Sequence, residues 1–341
     1  MRILVAPDKF AGTLTARQAA DAIAAGWRRA SPDDELTLLP MSDGGPGFVD
    51  VVGEPDPNSV HVEAARYCGL DRGLDPWNAS TYELGLAVRD ALTRARRVCI
   101  GLGGTRTIDG GAGLLAALGA TADVPLDRGP AGLRGVTAVD LAAVREATRG
   151  VELVGACDVD VPLLGLFGAT KTFGPQKGLS DEDLLIVDRI LDQFVGAALG
   201  SSPSDRRLAE TPGAGAAGGL GFGILAAGGS LVRGVDLVAE AIGLADACAD
   251  HDLVLTGEGT FDHTSRSGKV VYGVAEKAAA AARPCVVLAG QVTVGARESR
   301  AMGVDASYSM ADLVGLKAAL AQPAESLSRL AERTARTWSP A

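Results

Sequence analysis

The chain has 341 residues, of which 47% are hydrophobic and 22% charged, a folded profile and not a disordered one. Its 32 Lys and Arg against 42 Asp and Glu give a net charge of −10, which argues against nucleic acid and anionic membrane as partners, because both need Lys/Arg fields. At roughly 100–200 residues per domain the length predicts two domains. The five cysteines form no C-x-x-C pair and only three histidines exist, so neither a disulfide framework nor a His-rich metal site is expected. The opening apolar run is too short for a signal peptide, and no stretch of about 18 uncharged apolar residues appears, so a cytoplasmic location is expected.

In chain order, short apolar strands alternate with Ala-rich helices, the pattern of an α/β protein with a largely parallel sheet. Strands are predicted over 2–6, 36–40, 98–101, 152–157, 253–256, 285–289 and 306–309. The first helix, capped by Thr13 or Thr15, runs to about Arg29. Further helices are predicted at 80–95, 110–119, 180–199, 214–227, 235–248, 269–282, 295–302 and 311–337. Segments 121–136 and 200–213, rich in Gly, Pro, Ser and charge, read as loops.

Several apolar strands run straight into polar, Gly-rich turns: VAPDK at 5–9, PMSDGG at 40–45, IGLGGT at 100–105, CDVD at 157–160 and LTGEG at 255–259. Ligands of open α/β sheets bind outside the carboxyl ends of the strands, which would gather Asp8, Asp43, Asp109, Asp158, Asp160 and Glu258 around one crevice. Any one of these acids alone is more readily a turn cap; together they favour a site. Gly103 and Gly104, ahead of the DGGAG stretch at 109–113, suit an anionic phosphate beside a helix start. Asp109 there would hold Mg²⁺ or take a substrate proton. Gly213, Gly215 and Gly218 form a G-x-G-x-x-G without the preceding strand that a dinucleotide site requires, so a nicotinamide dehydrogenase is disfavoured and an anion-facing Gly run remains. Glu258, Asp262 and the Gly268-Lys269 pair bring together metal-holding carboxylates and a cation, the ingredients of phosphoryl transfer. Lys177, in the polar turn 173–178, is either a phosphate contact or a solvated lysine. No G-x-S-x-G elbow is present, which disfavours acyl hydrolysis.

The stretches MRILVAPDKF-AGTLTA, SDGG, GLGGTRTIDGGAGLLAALGA, DVDVPLLGLFGATKTFGPQKG, PGAGAAGGLGFGILAAGG, LVLTGEGTFDHTSRSGKV and PCVVLAGQV resemble the type I glycerate kinase family, over most of the chain from Met1 to about Val292. The resemblance implies two α/β domains, a Rossmann-like one formed by both chain ends (1–78 plus 285–341) and a second inserted into it (79–284). It implies ATP- and Mg²⁺-dependent phosphorylation of D-glycerate, at the 2-hydroxyl, in glycerate or glyoxylate catabolism. Asp8, Asp43, Asp109 and Lys269 are then the catalytic candidates. Gly103, Gly104, Lys177, Gly213, Gly215 and Gly218 are expected to contact the nucleotide, and Glu258 and Asp262 to hold Mg²⁺. Arg106 is the nearby candidate for a substrate carboxylate, and a homodimer is left open. The chain departs from the family pattern at Ala11 (usually Lys, with Lys9 two residues before it), Pro46 (usually Glu), Ile108 (usually Asn) and Thr264 (usually Gln). It also bridges residues 53–58 directly where the family carries a few dozen more. These departures keep two alternatives in view: a kinase for another small hydroxy acid, and a non-catalytic paralogue that binds a nucleotide or a small acid.

Overall fold

The computed structural model describes residues 1–10, 12–53, 57–263 and 270–339. Its strands are β1 (Arg2–Val5), β2 (Glu35–Leu38), β3 (Ser59–Glu63), β4 (Arg97–Gly101), β5 (Thr121–Ala122), β6 (Val139–Asp140), β7 (Glu152–Ala156), β8 (Ser230–Val232), β9 (Leu253–Thr256), β10 (Thr260–Phe261), β11 (Cys285–Ala289), β12 (Gln291–Val292) and β13 (Ala306–Ser309). The chain divides into two compact units. One comprises Met1–Asp43, Asp50–Val52 and Val235–Ala341, the other Gly44–Val49 and Gly53–Gly234.

The first unit is built on a five-stranded sheet of order β13-β11-β9-β1-β2, with every pairing parallel. The interior strands β9 and β11 are buried along their whole length, whereas the edge strand β2 alternates with exposed positions, as expected of a parallel sheet covered on both faces. The helix Ala16–Ala30 starts at a capping box, in which the Thr15 hydroxyl accepts from Gln18 N–H while the Gln18 side chain accepts from Thr15 N–H. It buries Ala19, Ala20, Ile23 and Trp27 at helical spacing, and the Trp27 indole donates to Asp34 at 2.8 Å. It packs on the helix Pro323–Trp338 through Gly26, where an added Cβ would lie 1.9 Å from the Ser328 carbonyl oxygen.

The second unit holds a four-stranded parallel sheet, β3-β4-β7-β8, and a small antiparallel pair, β5 with β6. Its core is aliphatic, from Leu84, Val98, Ile100, Leu114 and Leu153 to Leu191 and Ile224, with Phe194 edge-on to Phe222.

The structure redraws several sequence expectations. The unit boundaries differ from 78/79 and 284/285. β3 hydrogen-bonds to β4, which puts residues 59–63 in the second unit, and β9 lies between β1 and β11, which puts residues 253–256 in the first. The helix predicted over 311–337 is three, Met310–Val314, Leu316–Ala321 and Pro323–Trp338. Gly315 breaks the first junction with φ +84, and Pro323 opens the last. The turn predicted at 173–178 is instead the end of the helix Ala169–Lys177. Gly178 there takes φ +95 and Leu179 N–H bonds back to the Gly174 carbonyl at 3.0 Å, closing the helix as a left-handed C-cap does. Segment 121–136 carries β5 and a short helix, Gly129–Gly132.

Candidate active site

Within the first unit, polar side chains collect where the parallel strands end. A cleft of ≈ 340 Å³ is lined from all five. Asp8 and Lys9 follow β1, Asp43 follows β2, Glu258 follows β9 and Asp262 the short β10 after it, Gln291 opens β12 just beyond β11, and Met310 follows β13. This is the end of a parallel sheet at which α/β proteins bind ligands, and the volume is that of a small-molecule site. Gly257 sets the exit from β9: a Cβ there would sit 2.1 Å from the Leu288 carbonyl oxygen. Only a bare residue lets the chain pass β11 that closely and present Glu258 next.

The acids of the cleft differ in environment. The Asp8 side chain is 13% exposed, and burial, reinforced by the charges of Asp43 and Glu258, raises its pKa from 3.8 to about 7 against the opposing pull of Lys9. Its Oδ1 accepts the Lys9 N–H at 2.7 Å. The Lys9 ammonium donates to Asp43 Oδ1 at 2.8 Å and stands 3.7 Å from Asp8 Oδ1. Burial pulls the Lys9 pKa down, but Asp8 and Asp43 outweigh it and the ammonium is held charged. Glu258 is 8% exposed. Among the described residues no three His, Cys, Asp or Glu side chains form a metal cage. Mg²⁺, however, is usually held by one or two carboxylates plus substrate phosphates, and Glu258 with Asp262 is a donor set of that kind.

The remaining expected site residues have other positions. Asp109 is fully buried in the second unit and accepts four bonds: from Thr81 N–H and Oγ1 at 2.8 Å each, Gly111 N–H at 3.1 Å and Gly113 N–H at 3.3 Å. Burial raises its pKa, and those four donors oppose the rise. Fully buried and so bonded, it ties the turn before the helix Ala112–Ala117 to Thr81 and lies apart from the cleft of the first unit. Lys177 is 2% exposed and gives its ammonium donors to the Thr105 carbonyl at 2.6 Å, the Thr105 hydroxyl at 3.2 Å and the Thr107 carbonyl at 3.0 Å. It is therefore not a solvated lysine, and its ammonium is held by the turn that carries Thr105 and Thr107.

The Gly runs are closely packed. Gly103 N–H is spent on the Gly44 carbonyl at 3.2 Å, and Gly104 leaves room for the Pro46 ring, 2.7 Å from where its Cβ would be. Gly215 N–H donates to Val161, and Gly218 leaves no space for a Cβ, which would fall 1.9 Å from the Thr107 carbonyl oxygen. Gly213 would press its Cβ on Leu231 and Cys157. Lys269 lies outside the described residues. His251 is structural, with Nε2 on the Thr37 hydroxyl and Nδ1 on the Ala247 carbonyl.

The apolar side of the cleft, made by Met310, Leu316, Ala319, Leu320 and Pro323, is hidden in a sequence whose composition there suggests one unbroken helix; Gly315 and Pro323 are the signals that break it.

Fold and cleft together define a two-unit parallel α/β protein with an acid-rich ligand site at its strand ends. The family model for the glycerate kinase family matches residues 3–56 and 53–339. The chain is 35% identical to a glycerate kinase of Bacillus subtilis (97% of this chain, 96% of the relative) and 32% identical to a glycerate 2-kinase of Escherichia coli (92% of each). A crystal structure described as a glycerate kinase 2 from Salmonella typhimurium superposes with a TM-score of 0.80 at 31% identity, covering 99% of this chain and 98% of that one. The chain belongs to the glycerate kinase family, and is thereby an enzyme of the phosphotransferase class. The family match comes in two pieces that meet at residues 53–56, where the sequence bridges directly. Among the described residues no helix is long and apolar enough to cross a membrane.

Proposed function

We propose that the protein transfers the γ-phosphoryl group of ATP, with Mg²⁺, to the 2-hydroxyl of D-glycerate, giving 2-phosphoglycerate and ADP. The observation that carries this reading is Asp8: a largely buried carboxyl with pKa about 7, in a cleft that also presents Lys9, Asp43, Glu258 and Asp262. A base poised near neutrality accepts a hydroxyl proton without being trapped in either state. The E. coli relative, a glycerate 2-kinase, supports the choice of hydroxyl.

In this reading the Asp8 carboxylate takes the proton of the attacking hydroxyl as the new O–P bond forms and the bond to the β-phosphate oxygen breaks, the electron pair leaving with ADP. Asp43 fixes the Lys9 ammonium beside Asp8, where it steadies the ionised base and offers a cation to an anionic substrate. Glu258 and Asp262 would hold Mg²⁺, whose contribution is to neutralise charge on the phosphate oxygens. Lys269 is retained as the second cation, on the transferring group. Asp109 and Lys177 act only by fixing the turns 105–111 of the second unit. Such chemistry rests mostly on positioning and electrostatics. The product places the enzyme in glycerate catabolism, and a soluble cytoplasmic protein suits that role.

The test is ADP release from ATP, Mg²⁺ and D-glycerate, with the product resolved by phosphorus NMR. Expected are 2-phosphoglycerate from the wild type and a loss of about 10²–10⁴-fold in kcat for Asp8→Asn. Phosphorylation at the 3-hydroxyl would correct the regiochemistry. An Asp8→Asn variant with wild-type kcat would remove Asp8 from the mechanism.

A further inference from the structure

In the second unit the helix Asp181–Leu199 buries one face and breaks the usual pattern on the other. Leu184, Val187, Ile190 and Leu191 enter the core at helical spacing, which leaves the opposite side to solvent, where polar residues are the rule. Leu185 and Ile186 nevertheless stand there, 61% and 44% exposed. The Gly165 N–H donates to Asp188 Oδ1 at 3.2 Å, one turn on from Leu185, so the loop before the helix Ala169–Lys177 is tied to this helix. The next two residues of that loop, Leu166 and Phe167, are 73% and 77% exposed. Phe167, Leu166 and Leu185 are the three most exposed large apolar side chains among the described residues. A lone exposed leucine needs no explanation, but four such side chains on one helix and its tethered loop mark an interaction surface.

The charges beside the apolar pair decide what covers it. Three acids of the helix are already engaged: Asp183 caps it through Ser180, Asp188 holds Gly165, and Asp192 pairs with Arg206. Glu182 and Arg189 are exposed and make no ion pair among the described residues. At roughly 100° per residue, Glu182, Leu185, Ile186 and Arg189 fall within about 100° of arc. Their order is acid, apolar, apolar, base, each charge standing three residues outside the apolar pair. Such a stripe complements itself when reversed. A second helix turned end for end about the midpoint of Leu185 and Ile186 sets Glu182 against Arg189 twice over, and Leu185 against Ile186. A parallel copy would set like charge on like. The antiparallel arrangement also opposes the helix dipoles favourably.

We propose that this face joins two copies of the chain, their Asp181–Leu199 helices antiparallel, with Arg189 of one copy facing the partner's Glu182 and the reverse, and with Leu166 and Phe167 packing at the flanks. The contact is isologous, so it closes at a dimer and does not propagate. It uses one helix and one loop, the small end of specific interfaces, and the two chains carry −10 each, so dissociation is expected at concentrations on the order of micromolar. The proposal is independent of the kinase reading, since none of these residues lines the cleft of the first unit.

The experiment is analytical ultracentrifugation of the full chain from about 1 to 100 μM, on the wild type, Ile186→Asp, Phe167→Asp, Glu182→Arg and Arg189→Glu. All four positions are exposed, and melting curves check that each variant folds. The expected result is a monomer–dimer equilibrium for the wild type and a dimer Kd at least about tenfold weaker in every single variant. An equimolar mixture of the Glu182→Arg and Arg189→Glu chains should dimerise again, because an all-arginine stripe then meets an all-glutamate one. A wild type that stays monomeric at about 100 μM overturns the proposal and leaves the face to another macromolecule. So does a dimer that all four substitutions leave intact. Loss of the dimer in Ile186→Asp and Phe167→Asp with no effect of the charge reversals also overturns it, since that contact would not read the stripe. A mixture of folded single variants that stays monomeric overturns the antiparallel pairing and the proposal with it.

Discussion

Asp8 combines two properties that pull against each other. Its carboxyl is raised from 3.8 to about 7 by burial, so the folded protein holds this proton more tightly than the unfolded chain does. The stability that Asp8 contributes is complete below pH 3.8 and lost as pH rises through 7. Activity needs the ionised form, and kcat/KM is expected to rise with an apparent pKa near 7, the limb disappearing in Asp8→Asn. The same substitution is expected to raise the melting temperature above pH 7 while removing turnover, a separation that pH-resolved melting of both proteins would show.

Lys177 carries the opposite sign. Burial lowers its pKa from 10.5 to about 8, so the unfolded chain binds more protons between those values, and the wild type is expected to gain stability from pH 8 to about 10.5. Lys177→Met should abolish that gain. At pH 7 it should also cost about 2 kcal/mol, measured by urea unfolding, because the Thr105 and Thr107 carbonyls lose their donor. A variant as stable as the wild type would mean that relief of the buried charge outweighs the lost bonds.

At the scale of elements, the strongly patterned strands were readable from sequence: β1, β4, β7, β9, β11 and β13 fall within a residue of the apolar runs. β3 (SVHVE) and β8 (SLV) were not, since each is short and mixes polar with apolar residues, and pairing with a neighbour makes them strands. The first-unit acids were legible because each lies in a polar turn within a few residues of a strand end. Asp109, eight residues beyond β4, is an internal brace in the structure, since proximity to a strand end does not say which way a carboxylate turns. Burial of Lys177 was invisible for a related reason: Phe173-Gly-Pro-Gln-Lys-Gly has turn composition, and only the packing of its helix shows that the ammonium meets backbone carbonyls. The contact between helices Ala16–Ala30 and Pro323–Trp338 gives a sharper test. Gly26→Ala is expected to cost about 3 kcal/mol, read as a lower urea midpoint, because its Cβ would meet the Ser328 backbone. An unchanged midpoint would mean the helices separate freely.

For the whole molecule, the two-domain α/β architecture followed from alternation and length, but its seams did not. Seams are set by which strands pair, and the pairing partners of β3 and β9 are not written in local composition. The first unit's central sheet joins segments on either side of a long excursion: β1 lies between β2 and β9, and Ile3 pairs in register with Leu253. During synthesis the buried faces of Ile3, Leu4 and Val5 therefore leave the ribosome long before their second neighbour exists. At ordinary elongation rates of about 5–20 residues per second the wait is on the order of 10–50 s. The nascent chain must carry this sticky hairpin-sized fragment through that interval, which makes it a natural client for a chaperone. Ribosome-arrested chains stopped before residue 253 should be cut by protease within residues 1–43, and chains stopped well beyond residue 289 should resist; cutting that is equal at both lengths would show that the early strands find shelter elsewhere.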